Sequence, residues 1–150
     1  MVDGPSKWIE VQVARRFSEE LRQPIFLPTG QFRDWDGINL SGDFSYEVKL
    51  DTMVVDTFNF CLEVSYRGRA SGISSTAAKW WLQVVPMSGT RMIVYQFDTQ
   101  TLRDAVKTYP VLFGGDGKRS GLKLLPVDLG EKLVIRKFEL NVSWPRPTWN

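Results

Sequence analysis

Two carboxylates and a lysine stand close together in the segment from Asp36 to Lys49, which reads DGINLSGDFSYEVK. Glu47 and Lys49 belong to an alternating apolar run, so a strand would project both side chains from its polar face. A neighbouring strand or loop carrying Asp36 would bring a second carboxylate beside them. Two carboxylates can hold a divalent cation, and a nearby lysine can position a water molecule or offset charge on a phosphate. The segment therefore predicts the chemistry of phosphodiester hydrolysis.

Asp34 and Asp43 compete with Asp36 for the role of the first carboxylate. Asp43 is so near Glu47 in sequence that both would lie on one strand and face the same way. Asp36 is favoured because the residues between it and Glu47 leave room for a turn, which would bring two different strands together. The other two aspartates remain alternatives.

The composition excludes several classes of catalytic site. The 150-residue chain contains no histidine, which rules out Ser-His-Asp and Cys-His catalysis and histidine-ligated zinc or haem. A metal site would have to use oxygen ligands, which favour Mg²⁺ or Mn²⁺. Cys61 is the single cysteine, so no internal disulfide can form and a reducing compartment is expected.

Length, charge and hydropathy predict one soluble domain covering residues 1–150. Hydrophobic residues make up 43% of the chain and charged residues 24%, as is usual in globular proteins. The formal net charge of +2 permits a nucleic-acid partner without requiring one. The sequence shows no signal peptide and no long apolar run, so we expect a cytoplasmic protein with no membrane-spanning segment.

Hydrophobic periodicity predicts two helices and a series of strands. Short links between the first three strands predict that these are antiparallel neighbours, and residues 23–33 are expected to form a loop. The predicted helices cover Lys7–Arg22 and Thr99–Tyr109. The predicted strands cover Trp35–Leu40, Phe44–Leu50, Phe58–Tyr66, Trp80–Pro86, Arg91–Phe97, Leu122–Val127 and Lys132–Val142.

Glu10 lies on or beside the apolar stripe of the first helix, so its carboxylate should face inward or across a cleft. This placement makes Glu10 a candidate for an additional acidic group at the site. The alternative is a glutamate near the start of a helix that is favoured there by the helix dipole.

Two basic segments carry candidate contacts to DNA. Residues 66–81 combine glycines, which permit close backbone approach, with the usual donors to phosphate oxygens. The candidates in this segment are Arg67, Arg69, Ser71, Ser75, Thr76 and Lys79, and a short helix starting near Ser74 would add backbone amides. A polar turn before an aromatic strand is the alternative. Lys118 and Arg119, in the glycine-rich stretch 114–121, could also reach a DNA backbone, with a solvated loop as the alternative.

A helix with a glutamate, then an aspartate, then Glu-x-Lys on the next strand resembles the PD-(D/E)xK nuclease superfamily. Asp36 matches the motif aspartate, Glu47 the second acid and Lys49 the lysine, while Trp35 stands where the family has proline. Glu10 matches a helix glutamate that some members use as a metal ligand. The segment EVKLD is followed by a strand and then by RGRASGISSTAAKWW. This order is similar to the order found in small nucleases of bacteriophages and mobile introns. The resemblance covers residues 7–97.

The resemblance implies an α/β fold with a restriction-endonuclease-like αβββαβ core, a mixed central sheet and extra C-terminal strands. It further implies a Mg²⁺-dependent endonuclease, with Mn²⁺ as a substitute, that cuts double-stranded or branched DNA in a site-specific or structure-specific manner. Glu10, Asp36, Glu47 and the Val48 carbonyl would hold the metal, and Lys49 would orient water. Cutting two strands calls for a homodimer or homotetramer.

Two alternatives belong to other functional classes. The chain could be a non-catalytic DNA-binding or scaffold protein that keeps the nuclease fold, in which case Glu47 and Lys49 form a surface ion pair worth at most about 1 kcal/mol. It could also be a β-rich interaction module in which the six tryptophans form a binding patch.

Overall fold

The computed structural model describes residues 5–28 and 34–141, apart from the side chains of Pro5, Ser6 and Asp116. These residues form a mixed α/β structure. The helices are α1 (Pro5–Leu21), α2 (Val54–Thr57), α3 (Thr99–Ala105) and α4 (Val127–Leu133). The strands are β1 (Ile25–Phe26), β2 (Gly37–Asn39), β3 (Ser45–Leu50), β4 (Asn59–Tyr66), β5 (Arg69–Ala70), β6 (Trp80–Pro86), β7 (Arg91–Asp98), β8 (Leu112–Gly114), β9 (Ser120–Pro126) and β10 (Arg136–Asn141). None of the helices among the described residues has the length and apolar character needed to span a bilayer.

The strands form two sheets. The six-stranded sheet has the order β1-β2-β3-β6-β7-β10, and β3 and β6 are its parallel pair; its other neighbours are antiparallel. Parallel neighbours require a long crossover, and here the crossover contains α2, β4, β5 and a 3₁₀ turn at Gly72–Ser74. The second sheet is antiparallel with the order β5-β4-β9-β8.

Two hydrophobic clusters hold these layers together, one on each face of the six-stranded sheet. On one face, α1 buries Ile9, Val13 and Phe17 against the sheet, as the helical period predicts. On the other face, the second sheet contributes residues such as Phe60 and Leu62. Successive side chains of β6 alternate between the clusters: Leu82 and Val84 face α1, whereas Trp81 and Val85 face the second sheet.

A buried polar network joins the two sheets where β3 ends. The Asp51 side chain is 3% exposed and accepts hydrogen bonds from the backbone N–H of Cys61 (2.8 Å) and from Gln83 Nε2 (2.7 Å). Gln83 in turn accepts a hydrogen bond from Trp81 Nε1 at 2.7 Å. Because these buried groups satisfy one another, the network fixes β3, β4 and β6 relative to one another.

Most of the predicted elements are present with small shifts in their ends, but the predicted pairing of 44–50 with 58–66 is wrong. β4 lies in the second sheet, because the link after Asp51 forms α2 and ends at Phe58, whose left-handed backbone (φ 57°) redirects the chain. The predicted loop 23–33 contains β1. The last predicted strand starts later, at Arg136, because α4 occupies Val127–Leu133; its predicted last residue, Val142, lies outside the described residues.

Gly37 allows the close contact between β2 and β3 that places Asp36. It pairs with Tyr46, and a Cβ atom added at Gly37 would lie only 2.2 Å from Tyr46 Cζ. The ring belongs to the buried core beside α1, so it cannot move aside without displacing its neighbours. A side chain at this position would therefore separate the strands or shift the tyrosine.

We predict that Gly37→Ala lowers the free energy of unfolding by about 2–3 kcal/mol, because it overpacks the β2–β3 contact. The measurement is urea unfolding followed by circular dichroism. Gly42→Ala is the matched control: its added Cβ meets open space, and only the positive φ of 77° makes it unfavourable, by about 1 kcal/mol. Equal losses in the two variants would contradict this account of Gly37.

Candidate active site

Asp36 is held at the edge of β3 by two hydrogen bonds. Its backbone N–H donates to the Tyr46 carbonyl (2.8 Å), and its Oδ2 accepts from the Val48 N–H (2.7 Å). The β2–β3 ladder ends with the pair Gly37 and Tyr46, so the Asp36 carboxylate takes the place of the next backbone acceptor. This bond fixes the carboxylate beside the strand that carries Glu47.

Glu47 lies between Asp36 and Thr76. Its Oε1 accepts a hydrogen bond from the Thr76 hydroxyl at 2.8 Å. Burial raises the pKa of Glu47 to about 9, and the negative charge of Asp36 and a hydrogen bond shared with Asp36 act in the same direction. The bond from Thr76 opposes these effects. At neutral pH Glu47 therefore keeps its proton and is hydrogen-bonded to Asp36.

Glu10 approaches the same pair from α1. Its side chain is 14% exposed and lies 3.8 Å from Lys7 Nζ. Its charge contributes to raising the pKa of both Glu47 and Tyr46. The structure thus brings Glu10, Asp36 and Glu47 into one neighbourhood. In the part of the chain that the structure describes, however, no group of three or more carboxylate, cysteine or histidine side chains is already arranged to hold a metal ion.

Lys49 follows Glu47 on the same face of β3. Through the β3–β6 register, Glu47 is opposite Trp81 and Lys49 is opposite Gln83, so both point toward the side covered by the second sheet. Burial and Asp51 raise the pKa of the Cys61 thiol, and the charge of Lys49 works against them. The ammonium group is therefore within electrostatic reach of β4 as well as being Glu47's neighbour along the strand.

The two alternative aspartates occupy other positions. Asp43 is exposed and accepts a hydrogen bond from Asn39 Nδ2 (2.8 Å) within the turn between β2 and β3. Asp34 is also exposed, and its backbone carbonyl, rather than its carboxylate, accepts from the Ala77 N–H at 2.9 Å. Asp36 is the one of the three whose charge acts directly on Glu47.

Thr76 has a different position from the one expected for a phosphate contact. It is 6% exposed, and its hydroxyl is engaged with Glu47. Arg103, which the sequence did not single out, holds the segment that carries Thr76. It donates from Nε to the Ile73 carbonyl (2.9 Å) and from Nη2 to the Thr76 carbonyl (3.0 Å). No local pattern marks Arg103, because it meets this loop only through the tertiary fold.

The remaining candidate DNA contacts divide into two groups. Arg67, Arg69, Lys118 and Arg119 are exposed and lie at one end of the second sheet, where the Arg67 N–H donates to the Arg119 carbonyl at 2.9 Å. We call these four residues the basic tip. In the second group, Ser71 donates to Glu63 Oε2 at 2.9 Å, Lys79 is ion-paired with Asp98, and Ser75 is exposed. The expected short helix near Ser74 is the 3₁₀ turn at Gly72–Ser74.

The described tryptophans are distributed over separate parts of the structure. Trp80 packs against the cluster beside α1, whereas Trp81 is buried in the cluster between the sheets. Trp8 is 37% exposed, and Trp35 is half-buried. Trp144 and Trp149 lie outside the described residues. Because Trp81 is buried, it cannot contribute to an exposed tryptophan patch.

No protein-family model matches this chain, and no curated protein matches it. Its function is inferred from the arrangement of its own residues. The feature that most requires an explanation is the carboxylate pair, because burial and mutual repulsion make it unfavourable when both acids are ionised. Such perturbed pairs concentrate at functional sites.

The raised pKa of Glu47 predicts a pH dependence of stability. The unfolded chain releases this proton near pH 4.5, whereas the folded protein keeps it until about pH 9. Above about pH 4.5 the folded state therefore binds more protons, and its stability falls as the pH rises through this window. We predict that Glu47→Gln removes this fall, which amounts to about 2–4 kcal/mol between pH 5 and pH 9.

The measurement is the free energy of unfolding in urea at pH 5, 7 and 9, with EDTA present. Glu139→Gln is the matched control, because its hydrogen bond to Arg91 lowers the pKa of Glu139 and places its titration below this window. If Glu47→Gln keeps the wild-type pH dependence, Glu47 does not hold its proton in the folded protein.

Proposed function

We propose that this chain is a divalent-cation-dependent endonuclease that hydrolyses phosphodiester bonds in DNA. The observation that carries the proposal is the half-buried, hydrogen-bonded pair formed by Asp36 and Glu47. A proton is one way to relieve repulsion between two such carboxylates, and a hard cation is another, since metal ligands must lose their protons to bind. The pair is thus suited to exchange a proton for Mg²⁺ or Mn²⁺.

The oxygen donors of the pair are of the type that such a cation prefers. Glu47 would supply a carboxylate oxygen from β3, and Asp36 would supply one from the position just before β2. The N–H and C=O of a strand residue point to the same side, and the Val48 N–H points to Asp36, so the Val48 carbonyl also faces that side of β3. Glu10 would bind directly or through water. When bound, the cation would polarise the scissile phosphate and promote ionisation of the attacking water.

The chain's own residues would then position the reacting groups. Lys49, next to Glu47 on the same face of β3, would orient the water or offset the charge of the pentacovalent transition state. Thr76 would hold the Glu47 carboxylate in place through its hydroxyl. Arg103 would keep the Thr76 segment against α3 through its two backbone contacts.

The order of elements supports membership of the PD-(D/E)xK superfamily. α1 is followed by the antiparallel strands β1, β2 and β3, and then by a crossover to β6, which is parallel to β3. This order agrees with an αβββαβ core. In this chain the crossover would be enlarged, since it carries α2, β4 and β5 rather than a single helix. β7 and β10 would be the additional strands.

DNA would extend from the carboxylate pair to the basic tip. The tip is joined to Thr76 by β5 and the 3₁₀ turn at Gly72–Ser74. Its four exposed cations would contact phosphates, which fix position without reading sequence. A homodimer or homotetramer would supply the second active site needed to cut both strands of double-stranded or branched DNA.

We predict that the protein cuts supercoiled or branched DNA in the presence of Mg²⁺ or Mn²⁺, and that Asp36→Asn, Glu47→Gln and Lys49→Ala each reduce the rate by about 10²- to 10⁴-fold. The measurement is single-turnover cleavage followed on gels. Asp43→Asn is the matched control: it removes an aspartate from the adjacent turn and should keep near-wild-type activity.

Equal cleavage by the wild type and all three variants would contradict this prediction, because the activity would then come from a contaminating nuclease. DNA binding in EDTA, without cutting when Mg²⁺ is added, would favour a scaffold that keeps the fold without the chemistry. Either result would contradict the proposal that this chain is an enzyme.

The basic tip yields a separate prediction for DNA affinity. Replacing both Arg69 and Lys118 by Ala should weaken binding in Ca²⁺ and reduce the slope of log affinity against log salt by about 2, because each phosphate contact releases counterions. Fluorescence anisotropy at several salt concentrations measures this slope. Lys132→Ala is the control, since Lys132 is exposed on α4, beyond the opposite end of β4 from the tip. A double variant with an unchanged slope would show that the tip does not touch DNA.

A further inference from the structure

An exposed aromatic side chain stands among the cations of the basic tip. Tyr66 is the last residue of β4 and is 44% exposed. Residues that pair directly across antiparallel strands lie on the same face of a sheet. Tyr66 therefore shares its face with its two partners, Arg69 on β5 and Ser120 on β9. Contacts to phosphates require charge and no ring, so the tyrosine offers a contact of another kind.

The Arg67 guanidinium covers the Tyr66 ring. Its Cζ lies 5.4 Å from the ring centroid, which is within the range of a cation–π contact. Arg67 and Gly68 form the two-residue turn between β4 and β5, and both have a positive φ, of 51° and 79°. Such turns favour Asn followed by Gly, because a larger side chain is strained at positive φ. Strained positions of this kind concentrate at binding sites, which favours a role for Arg67 in binding.

An open cavity of about 400 Å³ lies beside this pair, a volume in the range of ligand-binding clefts. It is lined by Tyr66, Arg67, Arg69, Ala70 and Ser71. The nearby carboxylate of Glu63 is engaged, since it accepts hydrogen bonds from the hydroxyls of Ser71 (2.9 Å) and Ser120 (3.3 Å). The cavity thus combines an aromatic ring with exposed guanidinium groups, whose charge suits an anionic ligand.

An unpaired nucleotide matches this combination of groups. Its phosphate is an anion, and the face of its base stacks on aromatic rings and on arginine guanidinium planes. The bases of a continuous duplex are stacked on one another, so their faces are not available to Tyr66. The arrangement therefore favours DNA with single-stranded arms or a branch over an uninterrupted duplex.

We propose that the basic tip binds an unpaired nucleotide of branched DNA, with the base stacked on Tyr66 and Arg67 and the flanking phosphates on the other cations. The inference rests on the proposed function, because it takes DNA as the ligand. It deepens that function by selecting branched DNA rather than continuous duplex as the substrate. Stacking releases no counterions, so this contact would differ from the phosphate contacts in its dependence on salt.

The test compares two DNA molecules that have the same number of phosphates, a fork with single-stranded arms and a continuous duplex. Affinities are measured by fluorescence anisotropy in Ca²⁺. We expect the wild type to bind the fork more tightly. Tyr66→Ala should weaken fork binding by about 5- to 100-fold while leaving the duplex affinity and the salt slope unchanged. Tyr66→Phe keeps the ring and should keep the wild-type preference for the fork.

Phe58→Ala is the matched control, because Phe58 is also exposed but directly precedes β4, at the other end of that strand from Tyr66. This variant should bind both DNA molecules as the wild type does.

Three results would overturn the inference: no preference of the wild type for the fork, equal loss of fork and duplex binding in Tyr66→Ala, or displacement of the fork by poly-glutamate as readily as by single-stranded DNA. None of these results bears on Mg²⁺-dependent cleavage, which tests the proposed function separately. If the wild type binds neither DNA molecule, the proposed function and the inference are both overturned.

Discussion

The hydrogen bond between Asp36 and the protonated Glu47 is the interaction on which the rest of the site depends. Asp36, just before β2, and Glu47, on β3, lie together in a half-buried position, where ionisation of both is opposed by burial and by repulsion. They stay together because each is fixed separately. Val48 N–H holds Asp36, and the Thr76 hydroxyl holds Glu47. The fold thus keeps the two carboxylates together despite the repulsion between them.

The surrounding structure explains how a small chain can maintain this pair. Because Gly37 has no side chain, the Tyr46 ring on β3 can pack directly over β2. This contact sets the strand register that brings Asp36 to Val48. Beyond the far end of β3, the network around Asp51 and Gln83 ties the strand to β4 and β6. Glu47 therefore lies on a strand that is anchored on both sides and at both ends, and Asp36 immediately precedes the strand beside it.

The sequence was sufficient to predict the local structure of this region, because the signals there are local. The alternation of apolar and polar residues in 44–50 and the apolar stripe of α1 are periodic patterns. Each pattern predicts its element because burial of the apolar face stabilises it. The turn between Asp36 and Glu47 made their meeting predictable for the same reason.

Features that depend on distant partners were missed or misplaced. β4 was assigned to the wrong neighbour, because sequence alternation does not reveal which of two sheets a strand joins, and Thr76 was assigned to DNA because its bond to Glu47 spans 29 positions. Arg103 carries no pattern at all.

The most direct test of the central claim is to count the protons released when a divalent cation binds. Isothermal titration of the wild type with Mn²⁺ at pH 7, in buffers of different ionisation enthalpy, gives both the stoichiometry and the proton release. If the cation displaces the proton that Glu47 holds, about one proton should leave per ion bound, and Asp36→Asn should abolish the binding. Binding without proton release, binding that survives Asp36→Asn, or no binding at all would contradict this account.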